Sequence, residues 1–129
     1  MALRLTLKPH ERVIVGNAVI RNGDSRNRLL IENRVPVLRE SDILSPGAVQ
    51  SPCERIYLAL QLIYVDPGAA DQHLETFQAL VAEVLEAAPS CSRLIRPIRA
   101  HMAAGRYYEA LKSARLLLRY ERELMSRVP

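Results

Sequence analysis

The hydrophobic residues of this chain change their spacing near residue 50, and that change limits the folds open to it. Before residue 50, apolar side chains such as Leu3, Leu5 and Leu7 alternate with polar ones, which predicts β-strands. After it they recur every three or four residues, which predicts helices. The intervening segment SPGAVQSP is rich in proline, glycine and serine. We therefore expect an α+β fold with a β-rich half, residues 1–50, and a helical half, residues 51–129.

The first half contains five predicted strands, at about residues 3–8, 12–15, 18–21, 28–32 and 35–39. Gly16-Asn17 and Asn22-Gly23 tolerate positive φ and predict tight turns on either side of the third strand. Pro36 confines the last strand to an edge or a bulge. The prediction is a small antiparallel β-sheet or partly closed barrel of about five strands, followed by a four-helix C-terminal region.

The first helix of the second half has a clear start. Ser51 can cap its free amides, Pro52 suits the first helical position, and Glu54 completes a capping box. The segment IYLALQLIYV is apolar on nearly every face, which predicts a buried helix. Pro97 predicts either a kink in the third helix or its start, with an end at Gly105. In the last helix, the residues predicted to be buried are Tyr107, Leu111, Ala114, Leu118 and Met125.

Basic residues suggest an anionic partner. The net charge is +4, and residues 1–50 hold eight basic and five acidic side chains, a net of +3, with no aromatic ring. Arginines on a thin sheet can follow a phosphate backbone and stack on or pair with unstacked bases. The alternative is a solvated strand face with ordinary solubility charges. The candidate RNA-binding residues are Arg39, Arg4, Lys8, Arg21 and Arg28.

A second basic feature lies on the last helix, where one stripe headed by Tyr108 consists of Lys112, Arg115, Arg119 and Arg122. Three roles are open for this stripe: binding RNA, pairing with the acidic second helix of the same chain or of a second copy, or facing water.

Catalytic and metal-binding patterns are missing from the sequence. It has no phosphate-cradling glycine loop, its histidines His10, His73 and His101 are dispersed, and Cys53 and Cys91 lack ligand spacing. We expect no enzyme activity, no metal and no cofactor. The opening MALRLTLK lacks the apolar stretch of a secretory signal, and no run approaches a membrane span, so we expect a cytoplasmic protein without membrane contact.

Nearly the whole chain resembles one family. The segments ALRLTLKPHERVIVGNAVIRNGD, LLIEN, PVLRESDIL, RIYLALQLIY and AGRYYEALKSARLLL are similar to the flagellar biosynthesis repressor family FlbT. The resemblance implies a post-transcriptional repressor that binds the 5′ untranslated region of flagellin mRNA, promotes the message's degradation and is linked to the small protein FlaF. The family pattern has a glycine in its KPGER turn, where this chain has His10.

The first 44 residues also resemble the carbon storage regulator family of small mRNA-binding β-proteins. That resemblance implies that Arg39, at the end of the last strand, is a principal RNA contact. The basic residue that this family has at the end of its first strand aligns near Leu7, so this contact is either shifted to Lys8 or lost. Our hypothesis is an RNA-binding rim at the sheet edge, with Arg4 and Lys8 beside Arg39. The resemblance also implies a homodimer by analogy. The alternative for Arg39 is a structural ion pair with Glu32 or Asp42.

A rival function comes from the segment AGRYYEALKSARLLL, which is similar to a tetratricopeptide helix pair. A groove beside such a pair would make the chain a protein-binding adaptor or chaperone partner in flagellar assembly, acting through FlaF or flagellin. The RNA hypothesis places activity in residues 1–50, and the adaptor hypothesis places it in residues 51–129.

Overall fold

The computed structural model describes residues 2–127, and the chain divides into two compact units, residues 1–43 and residues 44–129. We call them the β unit and the helical unit. Five strands precede four helices, so the predicted α+β class is confirmed. The elements are β1 (Leu3–Leu7), β2 (Arg12–Val15), β3 (Ala18–Arg21), β4 (Asn27–Ile31), β5 (Val37–Arg39), α1 (Pro52–Val65), α2 (Ala70–Ala87), α3 (Ser92–Ala103) and α4 (Tyr107–Ser126).

The strands form two small antiparallel sheets rather than one sheet or a partly closed barrel. One sheet pairs β1 with β4, and the other has the order β3-β2-β5. β2 pairs with β3 on one side and with β5 on the other, so the β2–β3 hairpin belongs to the second sheet although it lies between β1 and β4 in the sequence. The last two strands also begin elsewhere than predicted, β4 one residue earlier and β5 two residues later.

Both sheets contribute to the core of the β unit. Leu5 and Leu7 of β1 and Val13 of β2 are almost fully buried and form the centre of an apolar cluster. Alternation along β1 turns Arg4 and Thr6 to the opposite, exposed face. The partly buried residues packed against the cluster are Val15, Leu29, Ile31 and Val37.

The two predicted tight turns have different outcomes. Val15 and Ala18 pair across the loop Gly16-Asn17, and Gly16 has φ +60°, which is the geometry of a two-residue type II′ hairpin. The turn predicted at Asn22-Gly23 is wrong, because Gly23 does not adopt positive φ and Asn22 is buried. The Asn22 amide instead ties this loop to the ends of β1 and β4 through bonds with Leu7 O, Lys8 O, Ser25 O, Gly23 N and Asn27 Nδ2.

In the helical unit, α1 packs against α2 and α4, and α3 packs against α4. The predicted burial of α1 is confirmed, since seven of its 14 residues are buried. Its start is also confirmed: the Ser51 hydroxyl accepts a hydrogen bond from Glu54 N at 3.1 Å, and Glu54 Oε1 accepts one from Ser51 N at 3.0 Å. Gln61 of α1 binds both backbone groups of Leu44, which anchors the start of this unit.

One of the two alternatives for Pro97 is excluded, and one residue predicted to be buried in the last helix is exposed. Pro97 lies inside α3, which begins at Ser92, so the helix does not begin at the proline, and the alternative of a kink stays a prediction. Gly105 follows the helix with φ +73°, as expected at a helix end. Met125 of α4 is 68% exposed rather than buried, because it lies in the last turns of the helix, beyond Leu117, the last of the buried residues of α4.

Candidate nucleic-acid interface

Two of the candidate arginines share the exposed face of the β1–β4 sheet. Arg4 lies directly opposite Leu30, and Thr6 lies directly opposite Arg28. Directly paired residues point to the same face of a sheet, and all four side chains are exposed. They line an open hollow of about 630 Å³, in which the two arginines stand diagonally across from each other.

The structure gives Arg39 two partners inside the β unit. Its Nη2 donates to the carbonyl oxygen of Thr6 at 2.7 Å and lies 3.4 Å from Glu11 Oε2. Arg39 belongs to β5 and Thr6 to β1, so the guanidinium links the two sheets. Its partner is therefore neither Glu32 nor Asp42. The Arg39 side chain is still 43% exposed, so a ligand can reach part of it.

Glu11 is the residue that orients this link. Its Oε1 accepts a hydrogen bond from the backbone N–H of Lys8 at 2.9 Å, while Oε2 faces Arg39. The Lys8 N–H, and to a smaller extent the Arg39 guanidinium, lower the pKa of the Glu11 carboxyl, although partial burial opposes them. Glu11 is therefore ionised at neutral pH and keeps Arg39 next to β1.

Lys8 lies at the turn between β1 and β2, and Arg21, the last residue of β3, contacts that turn. Lys8 is exposed at the start of this turn, and Arg21 Nη1 donates to the carbonyl oxygen of His10 at 3.3 Å. The structure thus brings the five candidates together in two groups: Arg4 with Arg28 in the hollow, and Lys8, Arg21 and Arg39 around the turn. Thr6 connects the groups, because it lines the hollow and also binds Arg39.

The basic stripe of α4 lies in the helical unit, and all four of its cations are exposed. Lys112 Nζ stands 5.5 Å from the centroid of the Tyr108 ring, a cation–π distance. Among the described residues, Lys112, Arg119 and Arg122 have no carboxylate within ion-pair distance. Pairing with the acidic helix of the same chain is thus not observed for these three residues.

Sequence reasoning missed Thr6 and Leu30 as lining residues of the hollow. Alternation within β1 places Thr6 on the face of Arg4, so that signal was present. Leu30 and Arg28 join them only because β4 pairs with β1 across an intervening hairpin, and such long-range pairing has no local signature. Sequence reasoning also missed the cation–π contact of α3 with α4, in which the Arg93 guanidinium lies 5.1 Å from the Tyr120 ring centroid.

The two cysteines are both free and buried, and burial raises the pKa of each thiol. Within the part of the chain that the structure describes, no group of three or more His, Cys, Asp or Glu side chains is arranged to hold a metal ion. Over residues 2–127, no helix is both long and apolar enough to cross a membrane.

Comparison with known proteins matches this chain over almost its full length. The family model described as "Flagellar protein FlbT" matches residues 3–125. The chain belongs to the FlbT family. The resemblance inferred from the sequence segments is therefore confirmed.

Several FlbT proteins align with nearly the whole chain. The "Probable flagellum biosynthesis repressor protein FlbT 1" of Bradyrhizobium diazoefficiens is 48% identical over 96% of this chain and 85% of its own length. A relative from Rhodopseudomonas palustris is 39% identical over 98% of this chain and all of its own length. The "Flagellum biosynthesis repressor protein FlbT" of Caulobacter vibrioides is 35% identical over 99% of this chain and 92% of its own length. No solved structure is significantly similar to the chain.

Proposed function

We propose that this chain represses flagellum biogenesis after transcription, by binding the 5′ untranslated region of flagellin mRNA and promoting the message's degradation. Its relatives are named flagellum biosynthesis repressors, which supports the regulatory role. The observation that supports RNA as the ligand is the placement of Arg4 and Arg28 across one open hollow on an exposed sheet.

The hollow has the chemistry to bind an unpaired stretch of RNA. Guanidinium groups form bidentate bonds with phosphates and stack on bases, and two of them across a hollow suit a splayed nucleotide. The Thr6 hydroxyl supplies a donor and acceptor, and the 61% exposed Leu30 supplies an apolar contact. The β unit has no aromatic ring for base stacking, so its recognition depends on arginine.

Message decay in this proposal is performed by a host ribonuclease. The chain binds the leader and either exposes the message to this ribonuclease or recruits the ribonuclease, and it does not cleave RNA itself. In cells, replacement of the native protein by an Arg4→Ala/Arg28→Ala variant should lengthen the half-life of flagellin mRNA to that of a strain lacking the protein. Unchanged decay with this variant would contradict the assignment of the hollow.

The first test is a binding titration with a flagellin leader RNA and a scrambled RNA between 50 and 200 mM salt. The slope of log affinity against log salt is negative, and each lost phosphate contact to single-stranded RNA reduces its magnitude by about 0.7, so Arg4→Ala/Arg28→Ala should reduce the magnitude by about 1.4. Affinity for the leader should fall by about tenfold per arginine.

The matched control is Arg55→Ala/Arg106→Ala, which removes the same charge from exposed positions of the helical unit. This variant should keep the wild-type slope and affinity. Equal losses of affinity in the two double variants would show a non-specific effect of charge, and the hollow would not be the RNA-binding site.

A second test separates RNA contact by Arg39 from its structural role. Glu11→Gln weakens the ion pair but keeps the guanidinium beside Thr6, whereas Arg39→Ala removes the guanidinium. If Arg39 contacts RNA, Glu11→Gln should bind the leader at least as tightly as wild type, and Arg39→Ala should bind about tenfold more weakly. An equal loss of affinity in both variants would instead show that Arg39 holds the two sheets together and does not contact RNA itself.

The adaptor role, acting through FlaF or flagellin, remains the second candidate. It is favoured by bulky apolar side chains that α4 exposes, Leu116 at 50% and Met125 at 68%. Binding of purified protein to the leader that is weak and indifferent to sequence would support this role over RNA recognition.

A further inference from the structure

The sheet of β1 and β4 has an open edge. β4 pairs with β1 on one side, and within residues 2–127 no strand pairs with its other side. The Thr6 carbonyl oxygen and the Lys8 N–H bond to side chains outside this sheet, so the even-numbered residues of β1 turn their backbone groups away from β4. In an antiparallel pair, residues opposite each other either exchange both bonds or both turn away. The partners of Thr6 and Arg4 therefore turn their backbone groups to the open edge, and these partners are Arg28 and Leu30.

The residues along this edge are complementary to themselves. When two copies of β4 run antiparallel about Leu29, Arg28 of one copy lies opposite Leu30 of the other, and the two exchange both backbone hydrogen bonds. Arg26 and Glu32 lie three residues before and three residues after Leu29, so they also face each other, at both ends of the contact. Both are exposed, and neither has an ion pair with any described residue. The edge thus matches a second copy of itself in hydrogen bonding and in charge.

The other open edge of the β unit, that of β3, lacks this match. Pairing of two copies of β3 about Ile20 would place Val19 against Arg21 and would bring no acidic residue opposite a basic one. β4 also belongs to the smaller sheet, and a sheet of two strands is only marginally stable alone. A second copy of β4 is therefore the occupant that the edge of β4 fits best.

We propose that two copies of the chain pair through the open edges of β4 and form one four-stranded sheet in the order β1-β4-β4-β1. A two-fold axis at Leu29 relates the copies, so each makes the same contact and the assembly closes as a dimer. The two exposed faces become one surface, because paired residues point to the same face. Across this surface, Arg28 of the other copy lies beside Leu30, which lies beside Arg4. Each hollow thus gains an arginine from the other copy.

The joint surface deepens the proposed RNA-binding role and rests on it. It carries four guanidinium groups, from Arg4 and Arg28 of each copy, and β1 and β4 contain no acidic residue. Cations that lie close together repel one another, and the phosphates of a bound RNA relieve that repulsion. One leader RNA should therefore occupy both hollows of the dimer, whereas separate hollows would bind one RNA each.

Sedimentation equilibrium of the full chain without RNA tests the dimer independently of RNA binding. Wild type should form a dimer of twice 14.5 kDa. Leu30→Pro removes an N–H that points to the open edge and leaves the bonds to β1 in place, so this variant should be monomeric at about 100 μM. Val19→Pro is the matched control, because the Val19 N–H points to the open edge of β3, and this variant should remain a dimer. Circular dichroism should show an unchanged fold for both variants.

Charge reversal at the ends of the contact tests its register. Arg26→Glu and Glu32→Arg each place like charges together at both ends and should raise the dimer dissociation constant by about tenfold or more. In a mixed dimer of the two variants, the glutamate introduced at position 26 faces the arginine introduced at position 32. At the other end, the unchanged Glu32 of the first variant faces the unchanged Arg26 of the second. The mixture should therefore dimerise with a dissociation constant within about threefold of wild type.

Failure of the dimer and failure of RNA binding give different results. A monomeric wild type at about 100 μM, a Leu30→Pro protein that dimerises, or a mixture that dimerises no more tightly than its two parts would overturn the proposed dimer. Titration of the dimer with leader RNA should saturate at one RNA for two chains. Saturation at one RNA per chain would overturn the joint surface. A dimer without affinity for the leader would refute the proposed function and leave the contact between the copies intact.

Discussion

His10 occupies a backbone conformation that normally belongs to glycine. It has φ +64° at the third position of the Lys8–Glu11 turn, after Pro9, and it is the one non-glycine residue with positive φ in the described part of the chain. A type II turn needs positive φ at this position, and glycine is the residue that adopts it without strain. The glycine in the family's KPGER turn thus matches the conformation that His10 adopts here.

We predict that His10→Gly stabilises the β unit by about 0.5 kcal/mol. Relief of the left-handed conformation gains about 1–2 kcal/mol, and the greater freedom of glycine in the unfolded chain costs up to about 1 kcal/mol. Hydrogen exchange of the β-strand amides measures the change. His10→Val should instead destabilise the unit by about 1 kcal/mol, because β-branched residues resist positive φ. A destabilised His10→Gly would show that the histidine side chain makes a compensating contact.

Residue roles in the β unit were only partly predictable from the sequence. Gly16 was predicted correctly because a hairpin turn is a local feature of two adjacent residues. The roles of Asn22 and Glu11 were not foreseen, because their partners come from separate strands and turns. Arg39 was predicted to be exposed, but it is half-buried, and its link to Thr6 spans 33 residues and has no pattern in the sequence.

The start of α1 is specified in part by its own residues and in part by a residue from a distant helix. The Ser51-Pro52-Cys53-Glu54 segment predicts a capping box, and the structure contains one. What the sequence did not predict is the carboxylate of Glu121, which approaches the same terminus from α4. A negative charge at a helix N-terminus interacts favourably with the helix dipole, so this contact joins α4 to α1.

Ser51→Ala should destabilise the helical unit by about 1–2 kcal/mol, because it removes the cap and one of the two bonds that hold Glu121. Urea unfolding followed by far-ultraviolet circular dichroism measures the loss. Ser92→Ala is the matched control: Ser92 is exposed at the start of α3, which has no side-chain cap, so this change should stay within about 0.5 kcal/mol. Equal losses of stability from the two substitutions would show that the cap at Ser51 does not stabilise the helical unit.

Element boundaries were predicted best where the signal was local. The β2–β3 hairpin and the start of α1 lie where the sequence predicts them. The division into two sheets was not predicted, because β1–β4 and β2–β5 pair across long loops and nothing in one strand encodes its partner. Met125 was assigned to the core because periodicity identifies an apolar face but cannot show how far the neighbouring helices extend.

Charge is distributed unevenly over the whole molecule. The β unit carries a net charge of +3, from eight basic and five acidic residues. In the helical unit, residues 66–86 are acidic without a compensating cation, whereas residues 93–119 contain seven basic residues and one acidic residue. An excess of positive charge favours association with RNA, while separated charges of both signs favour association between protein surfaces. The proposed RNA-binding role and the adaptor role therefore belong to different units and should respond to different substitutions.

Acid should weaken both units through one carboxylate in each. The pKa of Glu11 is lowered mainly by the Lys8 N–H, and that of Glu54 mainly by the Gln50 N–H with help from Ser51. A pKa that is lower in the folded state than in the unfolded state stabilises the fold fully above the unfolded value, near 4.5, and this contribution is lost as the pH falls through the folded value. Stability should therefore decline below about pH 5.

The two carboxylates can be tested separately, because each substitution should act on one unit. Glu11→Gln should reduce the stability of the β unit at pH 7 and flatten its dependence on pH between 5 and 3, and Glu54→Gln should do the same for the helical unit. Residue-resolved hydrogen exchange at several pH values measures both units in one experiment. If both variants keep the wild-type pH profile, other carboxylates cause the acid sensitivity. If Glu11→Gln instead alters the profile of the helical unit, the two units do not unfold independently.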